Sequence, residues 1–168
     1  MEMYRVRFGV LAVIAMAACA HPRETTSPKV VRPAEPAPRP RLDRLVVLPA
    51  ESIAFPRAAK ATTESLLQAR VDGLGVAQVS KVSLEVVQLA IECVEPSVTC
   101  YEAAGRSLAA RGLLFAKIAA VKPPQLKVTI TLFDVDARTP RTKAEKVFAS
   151  EDEATAGIAE LVAEVTRP

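Results

Sequence analysis

Hydrophobic positions fall into three regimes along this chain. Residues 8–18 are eleven consecutive uncharged, mostly apolar side chains. Residues 20–42 hold six prolines and almost no large apolar side chain. From Asp43 onward, apolar positions recur with the periods of strands and helices.

The third regime predicts a series of elements. Leu45-Val46-Val47-Leu48 is a short continuous apolar run, read as a buried strand that Pro49 stops. Pro56 suits the first turn of a helix, since its fixed φ is already helical. Ala59, Thr62, Leu66 and Ala69 follow at helical spacing, extending toward Leu74, and Gly73 is the expected stop. Residues 76–79 read as a second strand, parallel to the first through that crossover. Ser83 suits an N-cap with Glu85 in the first turn, and Leu84, Val87 and Ile91 share one face. A strand is the alternative for this stretch. After the segment from Cys93 to Cys100, Tyr101, Ala104 and Leu108 predict a helix closed by Gly112.

The period then changes from 3.6 to 2. Residues 113–121 are apolar on both faces, which predicts a central strand, and Pro123-Pro124 marks the turn after it. Leu126, Val128, Ile130 and Leu132 alternate with Lys127, Thr129 and Thr131, a half-buried strand. Phe133 and Val135 reverse that alternation, so a bulge or twist is expected near Leu132. Residues 143–149 give the third strand of this meander. Ser150-Glu151-Asp152-Glu153 is a capping box that opens a helix with Ile158, Leu161, Val162 and Val165 on one face. The order β-α-β-α-α-β-β-β-α predicts an α/β (α+β) domain with a mixed five-stranded sheet over residues 43–168.

Charge and composition narrow the function classes. The formal charge of +3 over 168 residues sits outside the predicted domain. Residues 20–42 carry five Lys/Arg against two acids, whereas residues 43–168 carry fifteen against sixteen. A nucleic-acid binder would place its positive charge on the folded part, so no nucleic-acid partner is expected. Seven Phe and Tyr and no Trp leave the core to Val, Leu, Ile and Ala. The Pro-rich stretch cannot form a core and reads as a tether of up to roughly 70 Å.

The leader gives the chain its setting. Arg5 and Arg7 precede the apolar run, which has the length of a signal-peptide core and is too short to span a bilayer. Met16-Ala17-Ala18-Cys19 resembles a bacterial lipobox, with Met16 where Leu is usual. This predicts a signal peptide over 1–18, diacylglyceryl transfer to the Cys19 thiol, anchoring in the lipid bilayer, and a tether over 19–42. The alternative is an ordinary secretory signal cut near Ala18 or Ala20. Ala20, in place of the Asp that signals inner-membrane retention, favours an outer-membrane lipoprotein facing the periplasm. Cys93 and Cys100 then remain as a pair in an oxidising compartment, where a disulfide is the default and two reduced, buried thiols are the alternative.

Candidate chemistry is sparse. No Gly-x-Ser-x-Gly or phosphate-binding loop occurs, and His21, the only histidine, lies on the tether. With no histidine in the domain, a zinc site is not expected. Asp134 and Asp136, two apart on a strand, would point to one side; paired carboxylates can hold metal or share a proton, but at a strand end they more often meet solvent. No catalytic, cofactor-binding or metal-binding residue and no cofactor is assigned, and the protein is expected not to be an enzyme.

Arg44-Leu-Val-Val-Leu-Pro49, the segment from Cys93 to Ala104, residues 110–118 and residues 126–136 together resemble an α/β module of bacterial envelope proteins. That module occurs in the N-terminal domain of the Tol-system propeller protein and in outer-membrane lipoprotein activators of penicillin-binding proteins. The curli-secretion pore lipoprotein is a more distant case. The resemblance covers about residues 43–165 and implies a tethered periplasmic domain that binds another envelope protein. It supplies no binding residues. A self-assembling structural subunit is the second reading, and a small-ligand binder or enzyme using Asp134 and Asp136 is the third.

Overall fold

The computed structural model describes residues 42–71, 74–75, 78–93 and 95–167. The leader, Cys19 and residues 20–41 of the tether lie outside them. Leu42, assigned by its neighbours to the tether, is buried instead, and its side chain closes over Gly112.

The main sheet has five strands and is mixed, as predicted. β1 (Leu45–Val47) pairs in parallel with β4 (Gln78–Val79) on one side and with β5 (Gly112–Lys122) on the other. β5, β6 (Gln125–Asp134) and β7 (Thr139–Phe148) form an antiparallel meander. α1 (Pro56–Gln68) and α4 (Glu151–Thr166) lie on one face. α2 (Leu84–Ala90) and α3 (Val98–Ser107) lie on the other.

Strand alternation divides the core between the two faces. Val47, Leu114, Ala116, Val128, Ile130 and Phe148 meet the α1 and α4 side, with Ile158, Leu161 and Val162 of α4. Val46, Leu48, Leu113, Phe115 and Phe133 meet the α2 and α3 side, with Leu84, Val87 and Ala104. This explains the reversal at Phe133: as far as Thr129 only one face of β6 is buried, and from Thr131 onward both are. The expected irregularity is present, with a register shift between Leu132 and Phe133 in the β6–β7 ladder. Leu132 pairs with Thr142 and Phe133 with Pro140, so the extra residue is Arg141, on β7. β7 is an edge strand, where the proline removes no essential ladder bond. It therefore starts at Thr139, earlier than the 143 expected from periodicity.

Three other boundaries move for a physical reason. α1 ends at Gln68, capped by Ala69, and the chain at once forms a small antiparallel hairpin of β2 (Arg70–Val71) and β3 (Leu74–Gly75). Gly73, Val76 and Ala77 lie outside the described residues. α3 begins at Val98, before Cys100, because Ser97 Oγ accepts the Cys100 N–H at 3.2 Å. It ends at Ser107 rather than at Gly112, since Ala109 takes φ 52° while the Ala109 and Ala110 N–H groups return to the Arg106 and Gly105 carbonyls. α2 ends in the same way: Glu92 takes φ 56° and the Glu92 and Cys93 N–H groups return to Leu89 and Gln88. Gly112 instead opens β5, where a Cβ would stand 2.9 Å from Leu42 Cδ1.

The helix starts behave unequally. Ser150 caps α4 as its box predicts, accepting the Glu153 N–H at 3.2 Å. Glu153 accepts from the Ala149 N–H at 2.8 Å, one residue upstream of the usual donor. Ser83 occupies the N-cap position of α2, but its buried Oγ has no hydrogen-bond partner among the described residues. α1 has no side-chain cap of its own at Phe55. Its cap comes from α4: Glu151 Oε1 accepts the Arg57 and Ala58 N–H groups at 2.7 and 3.0 Å. Glu151 Oε2 also takes the Arg57 Nε at 3.1 Å.

The Ala58 N–H, reinforced by the Arg57 N–H and guanidinium against the cost of burial, holds the Glu151 carboxyl below the usual carboxylate range. A depressed folded-state value contributes stability that is complete above the unfolded value and is lost as pH falls through the folded one. Glu151→Gln should therefore lower the melting temperature at neutral pH. Its deficit against wild type should close on acidification, which a melting series across pH checks. Asp152→Asn should do less, because Asp152 meets Arg57 only at the surface.

Candidate functional site

Cys93 and Cys100 are joined, with Cα atoms 5.8 Å apart. Cys100 lies buried in the first turn of α3, and Gln88 of α2 donates Nε2 to its sulfur at 3.2 Å. The bond thus ties the exit of α2 to the entry of α3. Closing a loop of this length restricts the unfolded chain by about 2.5 kcal/mol. Cys93→Ser should cost that amount in thermal unfolding, whereas free thiols in protein taken from an oxidising compartment would contradict the pairing.

Asp134 and Asp136 do not converge. Asp134 ends β6, is buried, and accepts the Ala137 N–H at 2.8 Å, fixing the turn. Asp136 lies beyond the strand, so the alternation that would align the two carboxylates has already ended. Its Oδ2 takes Arg111 Nε at 2.7 Å. The same-side expectation fails because the chain turns between them. Among the described residues, no group of three His, Cys, Asp or Glu side chains is placed to hold a metal ion.

Asp136 belongs to an arginine-rich clasp that individual sequence positions did not suggest. Arg111, at the entry to β5, also reaches Asp43 Oδ1 at 3.3 Å. Glu102 of α3 receives Arg138 at 2.7 Å and Arg106 of its own helix. The Arg138 contact, reinforced by Arg106 against the cost of burial, holds the Glu102 carboxyl below its ordinary value. Arg111 is raised, first by Asp136 and then by Asp43. Arg44, Arg106, Arg111, Val135 and Asp136 line an open groove of about 540 Å³. Its cations are mostly matched by acids, so it joins the start of β1, the end of α3 and the β6–β7 turn. Its lining includes no Ser, Thr, Cys or His side chain.

A second feature was missed because only the inward face of α2 drew notice. Val86 and Leu89, at i and i+3, stand on the opposite face and are exposed, as are Val82 just ahead of the N-cap and Val79 on the edge strand β4. Their spacing was available in the sequence; their exposure was not.

The fold is a mixed five-stranded sheet with helices on both faces. No family model matches the chain. No curated protein sequence matches it either. Among solved structures it is similar to the PelC dodecamer from Paraburkholderia phytofirmans, at 15% identity over 75% of this chain and 89% of that one, TM-score 0.44. It is also similar to the LpoB C-terminal domains of Salmonella enterica and Escherichia coli, at 11% and 13% identity. Each covers 64% of this chain and 83% of the other, with TM-scores of 0.43 and 0.41. None of these three is the Tol-system propeller domain. At such identities, function must be argued from the chain itself.

Proposed function

We infer that this is a non-enzymatic lipoprotein, anchored through Cys19 in the outer membrane, whose periplasmic α/β domain binds another envelope protein. The observation that carries the reading is the Cys93–Cys100 bond, a crosslink of oxidising compartments, in a domain that follows a lipobox-like cysteine. The layout supports it further. Leu42 is buried in the domain, and the proline-rich, charged composition of residues 20–41 suits a spacer between anchor and domain. A spacer has a use when the domain must reach a partner away from the bilayer.

Crosslinking of the full chain in intact cells tests the reading. Adducts with a different envelope protein support it. A ladder of self-adducts alone would instead identify a self-assembling subunit.

A further inference from the structure

α2 is apolar on two opposite sides. Leu84 and Val87 bury one side against the sheet, with Ile91 partly covered. The other carries Val86 and Leu89, with relative exposures of 42% and 79%, and Val82 is exposed just ahead of the N-cap. A helix facing water normally turns a polar stripe outward, and one apolar all round is normally covered. Beside Leu89 opens a groove of about 310 Å³, lined by Glu85, Gln88, Leu89, Glu92 and Cys93. That is far more than the about 30 Å³ share of one water and gives room for a large side chain.

Charge around this ridge identifies what fits it. Gln88 is turned inward onto Cys100, which leaves Glu85 and Glu92 as the charged groups of the groove. Neither carboxylate has an ion pair or hydrogen bond among the described residues. From Lys81 to Ser97 the chain carries Glu85, Glu92 and Glu95 against the single cation Lys81. We propose that the outer face of α2 is the partner-binding surface, and that it takes a protein segment presenting an apolar side chain flanked by Lys or Arg. The apolar side chain seats against Val86 and Leu89, and the flanking cations meet Glu85 and Glu92. An anionic membrane leaflet would be repelled by those carboxylates. A two-fold mate using the same patch would bring acid against acid. The proposal rests on the reading of the domain as a protein-binding module and assigns that module its surface.

Two measurements on the full-length protein test it. The first uses a short amphipathic peptide of Leu and Lys and its Leu and Glu counterpart, with binding followed by fluorescence anisotropy. The Lys form should bind, and Leu89→Ser should weaken it about tenfold, a change of 1.4 kcal/mol. Glu85→Gln combined with Glu92→Gln should weaken it similarly and remove most of its salt dependence. Ile53→Ser, at a fully exposed apolar position outside α2, should change nothing. Equal binding of the Lys and Glu forms, or equal weakening by Ile53→Ser, overturns the proposal. The second places a photoreactive amino acid at position 89 or 53 in cells and maps the adducts. Adducts at 89 to a basic, apolar segment of another protein support the assignment. Adducts at 89 to lipid, to a second copy or to an acidic segment overturn it. Heterologous adducts elsewhere with none at 89 overturn the surface but leave the protein-binding reading standing. No heterologous adduct at any position overturns both.

Discussion

Phe133→Ala should cost the domain about 3–5 kcal/mol, enough to leave it largely unfolded if its total stability is typical. Phe133 is fully buried where the second face of β6 becomes covered. Its ring meets Tyr101 of α3 edge-on at 5.5 Å, and Tyr101 meets Phe115 of β5 at 5.0 Å. In a chain with seven aromatic rings, these three pack α3 against the sheet. Phe133→Leu keeps most of the volume and should cost under about 1.5 kcal/mol. Urea unfolding checks both: the midpoint should fall in that order at unchanged slope. A midpoint shift for Phe133→Ala no larger than that for Phe133→Leu would mean that this side of the sheet is not a packed core.

Cys19→Ser should change the location of the whole molecule. Only a thiol can form the thioether, and a serine leaves the chain without its diacyl group. Each buried methylene contributes about 0.8 kcal/mol, so the chains of a processed lipoprotein hold durably where one would not. Wild-type protein should therefore sediment with membranes and Cys19→Ser should not. Identical fractionation of the two as soluble material would remove the anchor from the account. The α/β domain should melt alike in both, because the substitution changes none of the residues that form its sheet and helices.

The sheet was legible in the sequence because its strands carry the strongest periodic signal. The alternation from Leu126 to Leu132 and the double apolar face of residues 113–116 can be satisfied only by a covered strand and a central one. The helix ends were not legible, and the reason is specific. Both α2 and α3 stop with a non-glycine residue in the left-handed region, Glu92 and Ala109, so a search for glycine overshoots to Gly112. The hydrogen bonds that close those ends depend on backbone geometry that no side chain announces. The β2–β3 hairpin was lost for a similar reason, since two-residue strands have no period.

The candidate site was legible only in part. The Cys93–Cys100 pairing follows from counting cysteines in a chain read as exported. The arginine clasp draws on Asp43, Glu102, Arg111, Asp136 and Arg138, which share no spacing and meet only when β1, α3, β5 and the β6–β7 turn come together. The separation of Asp134 from Asp136 depends on β6 stopping at Asp134, two residues short of Asp136. The outer face of α2 stands between these cases: its spacing is in the sequence, but a short apolar helix does not reveal which of two apolar sides is buried.

The central claim is that the domain alone recognises a partner while anchor and tether only deliver it. Titrating purified residues 42–168 against the envelope protein found by crosslinking, beside the chain from residue 20, tests this most directly. The account predicts one Kd for both forms, because it assigns the binding surface to α2, within the domain. Binding that requires residues 20–41, or a domain that associates only with itself, would contradict it.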